Sequence, residues 1–494
     1  MVPRDDAAAE SLGFMLGTQA YSFREETTAE AIAGASRLGI KYIELYPGQP
    51  LSPKHGDLRI GSGMNAEQRR ELKGMLAAGG VKPVSFGVVN PGPDEGEMER
   101  LFEFVMDMGM QTISCEPLAE AWQMLAWRAE RLGIALANHN HPKPSTYWHP
   151  DSVVRQVRGR PGRIGACADT GHWVRCGLDP VACLRQYRGR IVELHFKDIA
   201  NDKDQHWGKG EGNAKGQLEE LLAQGFRGHV HVEYEHGKGP ELEADIAACV
   251  AFFDATCREL AERVKNVPTA ARATPRMDPW WLPRHEGLVE EAAGVNGGVG
   301  DKPFRVAFVG DSITEAWRGA GKAAWDRVIA PLGAVNLGIS GDRTQHLLWR
   351  LNHGLVEALA GRGGKSDAQV VAMLIGTNNS NGEDHTAEEI GAGLRANIEA
   401  IRRGLPKAKI LLHAIFPRGE GPSAQREKNA KASRIAAELA DGDAVQLIDL
   451  GSKFVDGQGK LDREAMPDLL HLSPTGYERW ASAIGPVLAR MAGG

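Results

Sequence analysis

From Leu12 to about Leu260, short apolar runs alternate with helix-like segments, and few folds accommodate that pattern repeated eight times. The runs are Phe14–Tyr21, Tyr42–Tyr46, Pro83–Val89, Thr112–Cys115, Ile134–Asn138, Ile164–Ala168, Ile191–Phe196 and His229–Tyr234. Helical periodicity fills intervening stretches such as Thr28–Leu38, Ala66–Ala78 and Glu97–Met108. Eight β/α units in about 250 residues is the size of a (β/α)8 TIM barrel. An open doubly wound sheet is the alternative, but no dinucleotide-binding glycine fingerprint accompanies the strands.

A second series begins at Arg305-Val-Ala-Phe-Val-Gly-Asp-Ser312. Here a buried-strand pattern stops at Gly310, and Ser312 follows ahead of a helix-like segment, Thr314–Arg318. A hydroxyl delivered to a helix start meets unpaired backbone N–H groups and a dipole that favour developing negative charge. The same position also suits an ordinary N-cap serine. Further strands end in Ser340-Gly-Asp342, in Gly376-Thr-Asn-Asn379 and, after Lys409–Ile415, in Phe416-Pro-Arg-Gly419. Asp468-Leu-Leu-His471 precedes a last helix. Between the two series, Asn266–Pro275 is small, polar and proline-containing, as linkers are. Trp280-Trp281 then suggests packing on a domain, and the following helix runs into a glycine-rich turn at Gly294–Gly300. The expected division is 12–262, a linker and lead-in helix at 263–302, and 303–494.

Composition narrows the function classes. A net charge of −6 without a basic block argues against nucleic acid or a membrane surface as partner. No apolar run reaches membrane-spanning length. Met1–Glu10 lacks the apolar core of a signal peptide, so a cytoplasmic protein is expected, or an exported one if a leader was removed before this numbering. The six cysteines (Cys115, Cys167, Cys176, Cys183, Cys249 and Cys257) form no CxxC pair and read as buried thiols.

Polar residues gather where the first eight strands end, the edge at which barrel enzymes act: Glu44, Glu116, His139, His141, Asp169, His172, His195, Lys197 and Glu233. Strand alternation points His139 with His141, and His195 with Lys197. Singly, each is an ordinary strand-end hydrogen-bonding residue. Together, imidazoles and carboxylates could hold Mn²⁺, Mg²⁺, Co²⁺ or Zn²⁺ and polarise a sugar carbonyl or hydroxyl pair. The blocks Ala137-Asn-His-Asn-His-Pro142, Ala168-Asp-Thr-Gly-His-Trp173, Gly177-Leu-Asp-Pro180, Leu194-His-Phe-Lys-Asp198 and Val232-Glu-Tyr-Glu235 resemble the xylose-isomerase-like sugar phosphate isomerase/epimerase superfamily. The resemblance implies a divalent metal on Asp169, His195 and Glu233, and places His172, Lys197 and Glu116 near substrate. On the fifth strand His139-Asn-His141 replaces the family's Glu, leaving His141 as the candidate fourth ligand. Proton-shuttle epimerases use two glutamates, and this variant resembles members acting on inositols or oxidised sugars.

For the second series the roles follow from what acyl transfer needs. Ser312 is the candidate nucleophile, His471 its base, and Asp468 the group that orients the imidazole. The Ser312 N–H, the Gly341 N–H and the Asn378 amide are candidate oxyanion donors. Thr314 stands where a Gly-x-Ser-x-Gly elbow would have its last glycine, which excludes that motif. The blocks Gly310-Asp-Ser-Ile313, Gly341-Asp342, Gly376-Thr-Asn-Asn379 and Asp468-Leu-Leu-His471 resemble the SGNH/GDSL hydrolases over about Pro303–Met491. Asn336–Arg350 looks like the catalytic subunits of intracellular platelet-activating-factor acetylhydrolase, a similarity shared by bacterial carbohydrate acetyl esterases. The resemblance implies an α/β protein with a flavodoxin-like three-layer α/β/α domain after the TIM barrel, and an esterase that needs no cofactor. An acetylated carbohydrate or other small ester is the expected substrate, with an oligomer left open. The alternatives are a metal-dependent sugar isomerase, epimerase or lyase as the main activity, or a silent carbohydrate-binding barrel.

Overall fold

A computed structural model describes residues 4–294, 304–361 and 366–493. They form two compact units that meet in sequence at Lys265 and Asn266. In the first, eight parallel strands close into a barrel: β1 Phe14–Gln19, β2 Tyr42–Leu45, β3 Lys82–Val89, β4 Thr112–Cys115, β5 Ala135–His139, β6 Ile164–Asp169, β7 Ile191–Phe196 and β8 Gly228–Val232. Closure comes from β1 pairing with β8, Phe14 opposite Gly228 through Thr18 opposite Val232. The first strand is shorter than its apolar run implies, because Ala20–Phe23 turns into a 3-10 helix.

Alternation assigns the two faces. Leu194, Phe196, Val230 and Val232 point outward into the aliphatic layer between strands and helices, and all are fully buried. The inward positions carry Glu193, His195 and His231 instead, each no more than 1% exposed. Barrel interiors are ordinarily filled by branched aliphatic side chains. Here ionisable groups occupy that space, and burial makes their mutual pairing obligatory.

The second unit is a five-stranded parallel sheet of β9 Phe304–Gly310, β10 Ala334–Gly338, β11 Ser366–Leu374, β12 Lys409–His413 and β13 Val445–Ile448, in the order β10-β9-β11-β12-β13. This is the flavodoxin-like order, whose switch point lies between its first and third strands. Two separate hydrophobic layers cover the faces, one containing Leu337, Leu347 and Ile398, the other Phe308, Trp317 and Trp480. Gly310 pairs with both Gly338 and Leu374, so the loops after β9, β10 and β11 leave one edge at one level.

The segment read from composition as a linker is packed. Thr344 Oγ1 donates to Ala270 O (2.7 Å), and the Thr274 N–H donates to Gln345 O (3.2 Å). Helix Trp281–Ala292 buries Trp281, Leu282 and Leu288 on the same unit. Polar composition signalled solvent there, but backbone and hydroxyl groups instead satisfy partners on the sheet's loops. Beyond Gly294 the glycine-rich turn lies outside the described residues.

Candidate functional site

In the second unit β9 ends at Gly310, where any Cβ would lie 2.2 Å from Leu374 O, so the strand can pass only as glycine. Asp311 caps the short helix Ser312–Glu315 by accepting from the Ile313 N–H (3.0 Å). Tyr477 Oη donates to Ile313 O (2.6 Å) and anchors that turn to helix Pro474–Met491. Ser312 Oγ lies 3.0 Å from His471 Nε2, and His471 Nδ1 lies 2.7 Å from Asp468 Oδ2. Asp468 also accepts from the His471 N–H (2.7 Å) and the Leu470 N–H (3.0 Å). Burial would raise the Asp468 carboxyl, but the hydrogen bonds from the His471 ring and backbone outweigh it and hold it below its ordinary range.

Asn378 Nδ2 donates to Asp342 O (2.9 Å), which ties the amide to the residue following Gly341. Gly341 has φ +79°, a conformation that a side chain disfavours. Asp342 is itself fixed: Oδ1 accepts from Trp281 Nε1 (2.7 Å) and Oδ2 from Arg350 Nη1 (2.8 Å), with both ionic partners fully buried. Arg276 Nη1 donates to Ser340 O (2.7 Å). Ser312, Asp468, His471, Gly341 and Asn378 thus lie on neighbouring loops of one edge. Sequence reasoning missed the supporting residues Arg276, Asp342 and Arg350. Asp342 stood in the Gly341-Asp342 block without a role, and Arg350, between Trp349 and Leu351, was signalled only as a charged side chain among apolar neighbours.

In the barrel, Lys197 Nζ lies 2.6 Å from Asp169 Oδ2, 2.9 Å from Glu233 Oε2 and 2.8 Å from Glu235 Oε1. His195 Nε2 lies 2.8 Å from Glu44 Oε2, and its Nδ1 lies 3.0 Å from Glu233 Oε2. Deeper in, His231 Nε2 lies 3.2 Å from Glu193 Oε2. Burial works against the charged forms of Lys197 and His195, yet Asp169, Glu233 and Glu235 raise Lys197, and Cys167 followed by Glu44 and Glu233 raises His195, both well above their ordinary values. Burial likewise opposes Glu233, and Lys197 with His195 pulls it below the usual range.

Asp169, His195 and Glu233 bring one donor atom each within 4.8 Å of one another. Although His195 Nδ1 and Glu233 Oε2 are close, neither makes a hydrogen bond of proper angle. One imidazole and two carboxylates, all buried and converging, are a donor set of the kind that holds a divalent ion, although here Lys197 Nζ sits 2.6 Å from Asp169 and 2.9 Å from Glu233. Lys197 bridges two of them, and Glu235 gives its ammonium a further partner. His141 does not join the trio: it groups with His139 and His172, and its Nδ1 lies 2.8 Å from Glu116 Oε1. Glu116 also accepts from Ser145 Oγ (2.9 Å) and the His141 N–H (2.7 Å), so it organises the loop after β5. His172 Nε2 lies 3.4 Å from Asp169 Oδ2.

Residues 308–479 match the GDSL-like Lipase/Acylhydrolase family, and residues 32–255 match the Xylose isomerase-like TIM barrel family. Platelet-activating factor acetylhydrolase IB subunit alpha1 of Bos taurus is 31% identical over 227 residues, which are 45% of this chain and 90% of that protein. The alpha2 subunit of Rattus norvegicus is 34% identical over 203 residues, 41% of this chain and 80% of that one. D-psicose 3-epimerase from Clostridium cellulolyticum superposes with a TM-score of 0.39 at 14% identity, covering 49% of this chain and 99% of its own. Among the described residues no helix is long and apolar enough to cross a membrane. The chain belongs to the GDSL-like lipase/acylhydrolase family, an ester-hydrolase family, and joins that domain to a xylose isomerase-like TIM barrel.

Proposed function

We propose that the second unit hydrolyses a short acyl ester, acetyl above all, carried by a carbohydrate or glycoside. The observation that carries this reading is the Ser312–His471–Asp468 relay at 3.0 and 2.7 Å. His471 Nε2 takes the proton as Ser312 Oγ attacks the acyl carbon, then returns it to the departing alcohol. Asp468 keeps the imidazole in the tautomer whose Nε2 accepts and stabilises the cation that forms. The tetrahedral oxyanion receives the Ser312 and Gly341 N–H groups and an Asn378 N–H, since that amide has a second N–H besides the one bonded to Asp342. Water then cleaves the acyl-serine by the same relay. The relatives named as acetylhydrolases support the acetyl preference. The attached sugar-type barrel supports a carbohydrate alcohol.

The test is acetate release from p-nitrophenyl acetate and from acetylated oligosaccharides, with longer acyl esters cleaved progressively less well. Ser312→Ala should abolish release while the melting temperature holds. Wild-type turnover in that variant refutes the assignment, and loss of ester cleavage with EDTA refutes a metal-independent mechanism.

A second reading concerns the barrel, favoured by the convergence of Asp169, His195 and Glu233 within 4.8 Å of one another. A divalent ion held by Asp169, His195 and Glu233 would polarise a sugar carbonyl or vicinal hydroxyls. Lys197 would hold a proton beside the substrate oxygens, and His172 would line the same side. Titration with Mn²⁺ should raise the barrel's melting temperature, and Asp169→Asn should remove that rise. No rise with Mn²⁺, Mg²⁺, Co²⁺ or Zn²⁺ leaves the metal reading without support.

A further inference from the structure

Trp280 and Trp281 are neighbours in sequence with opposite surroundings. Trp281 is fully buried and donates its indole N–H to Asp342, whereas Trp280 is 48% exposed, close in sequence to Met277 at 76%. Arg276 joins this segment to the catalytic edge. Its Nη1 donates to Ser340 O (2.7 Å), its Nε donates to Asp278 Oδ2 (2.9 Å), and its guanidinium carbon lies 5.1 Å from the centre of the Trp280 ring. A Cβ on Gly341 would come within 2.8 Å of Arg276 Nη1, so the guanidinium rests directly on the turn assigned to the oxyanion. Indole, guanidinium and the Ser340–Gly341 turn therefore succeed one another in contact.

We infer that Trp280 is the stacking floor of a subsite for the sugar ring that bears the scissile ester. The inference rests on Ser312 being the esterase nucleophile, and it deepens that reading by naming where the alcohol half binds. With Arg276 lying over one face of the ring, the exposed remainder of the Trp280 indole offers the apolar surface that a pyranose can cover with its C–H groups, while the polar edge stays wet. The charged groups beside it suit a sugar better than a hydrocarbon chain. Arg276 Nε and Nη2 pair with Asp278 Oδ2 and Nη1 with Ser340 O, so the remaining guanidinium N–H groups and the other Asp278 oxygen are what can meet hydroxyls, and they would lose hydration against an alkyl chain. Trp281, bonded to Asp342, and Arg276, bonded to Ser340, fix the segment on either side of Trp280, so the face is held in place before substrate arrives.

The experiment compares kcat/KM for three acetyl esters: a per-acetylated methyl glucoside, ethyl acetate and dodecyl acetate. In Trp280→Ala, the ratio of glucoside to ethyl acetate should fall about tenfold, the upper range for one aromatic contact. Trp280→Phe should restore most of that ratio. An unchanged ratio overturns the subsite. A selective fall for dodecyl acetate overturns the sugar assignment and gives the face to an alkyl alcohol. Loss of all three esters together assigns Trp280 a structural role and overturns the subsite as well. Undiminished acetate release in Ser312→Ala would instead remove the esterase reading itself, whatever Trp280 does.

Discussion

Asp311, immediately before the nucleophile, makes folding stability in the second unit depend on pH with a sign opposite to most carboxylates. Its side chain is 1% exposed, Oδ1 accepts from the Ile313 N–H, and Oδ2 has no hydrogen-bond partner. Burial is the main cause, with the nearby Asp342 adding to it, and the carboxyl is pushed from 3.8 up to about 7. Between those values the folded protein holds a proton that the unfolded chain has released. Stability therefore falls as pH rises through this window, by about 1.4 kcal/mol per pH unit. Asp311→Asn keeps an acceptor for the Ile313 N–H and removes the titration. The variant should gain on the wild type by about 2 kcal/mol between pH 5 and 6.5, or roughly 4–8 °C in melting temperature for a unit of this size. Calorimetry at both pH values would read this in the transition that tracks loss of ester cleavage. A difference between variant and wild type that is flat with pH, or that shrinks as pH rises, refutes the buried neutral carboxyl.

Other consequences can be measured separately. Asp468→Asn should preserve the fold and lower kcat on p-nitrophenyl acetate by about 10⁴-fold, because His471 is then held in the wrong tautomer; a loss below tenfold means that Asp468 does not orient the base. Gly341→Ala adds about 1–2 kcal/mol of left-handed strain and displaces Arg276 from Ser340, so kcat should fall, up to about 100–1,000-fold. Combining it with Arg276→Ala removes the clash, and if Gly341→Ala costs as much in that background, the contact is irrelevant. Lys197→Met leaves Asp169, Glu233 and Glu235 without their buried cation and should destabilise the barrel by about 3–5 kcal/mol in urea unfolding; a change under 1 kcal/mol would show that the three carboxylates are otherwise neutralised.

Much of this architecture can be read from local pattern. Period-2 and period-3.6 apolar spacing set out the eight barrel strands, and the residues after each strand named the ionisable groups at its end. In the second unit, Gly310 before Ser312 and the Asp468–His471 spacing are local as well, since an aspartate three residues before a histidine can reach its ring. The supporting contacts were less legible. Glu193 is one acidic residue between Val192 and Leu194, and nothing local says that it points into a closed barrel rather than to water.

The chain's own order therefore determined the element types, their parallel sense and the chemistry available at the strand ends. Tertiary structure alone decided which of those groups meet. His195 and Glu44 are 151 residues apart, and Ser312 and His471 are 159 apart. Periodicity carries no register between distant strands, so barrel closure and sheet order had to supply it. The same limit explains His141: alternation brought it beside His139, with ring centres 4.4 Å apart, but could not foresee that its ring would pair with the Glu116 carboxylate and group with His139 and His172. It also explains Asn266–Pro275, where a polar composition fits open solvent and a loop-covering strap equally well until the hydrogen-bond partners are in place.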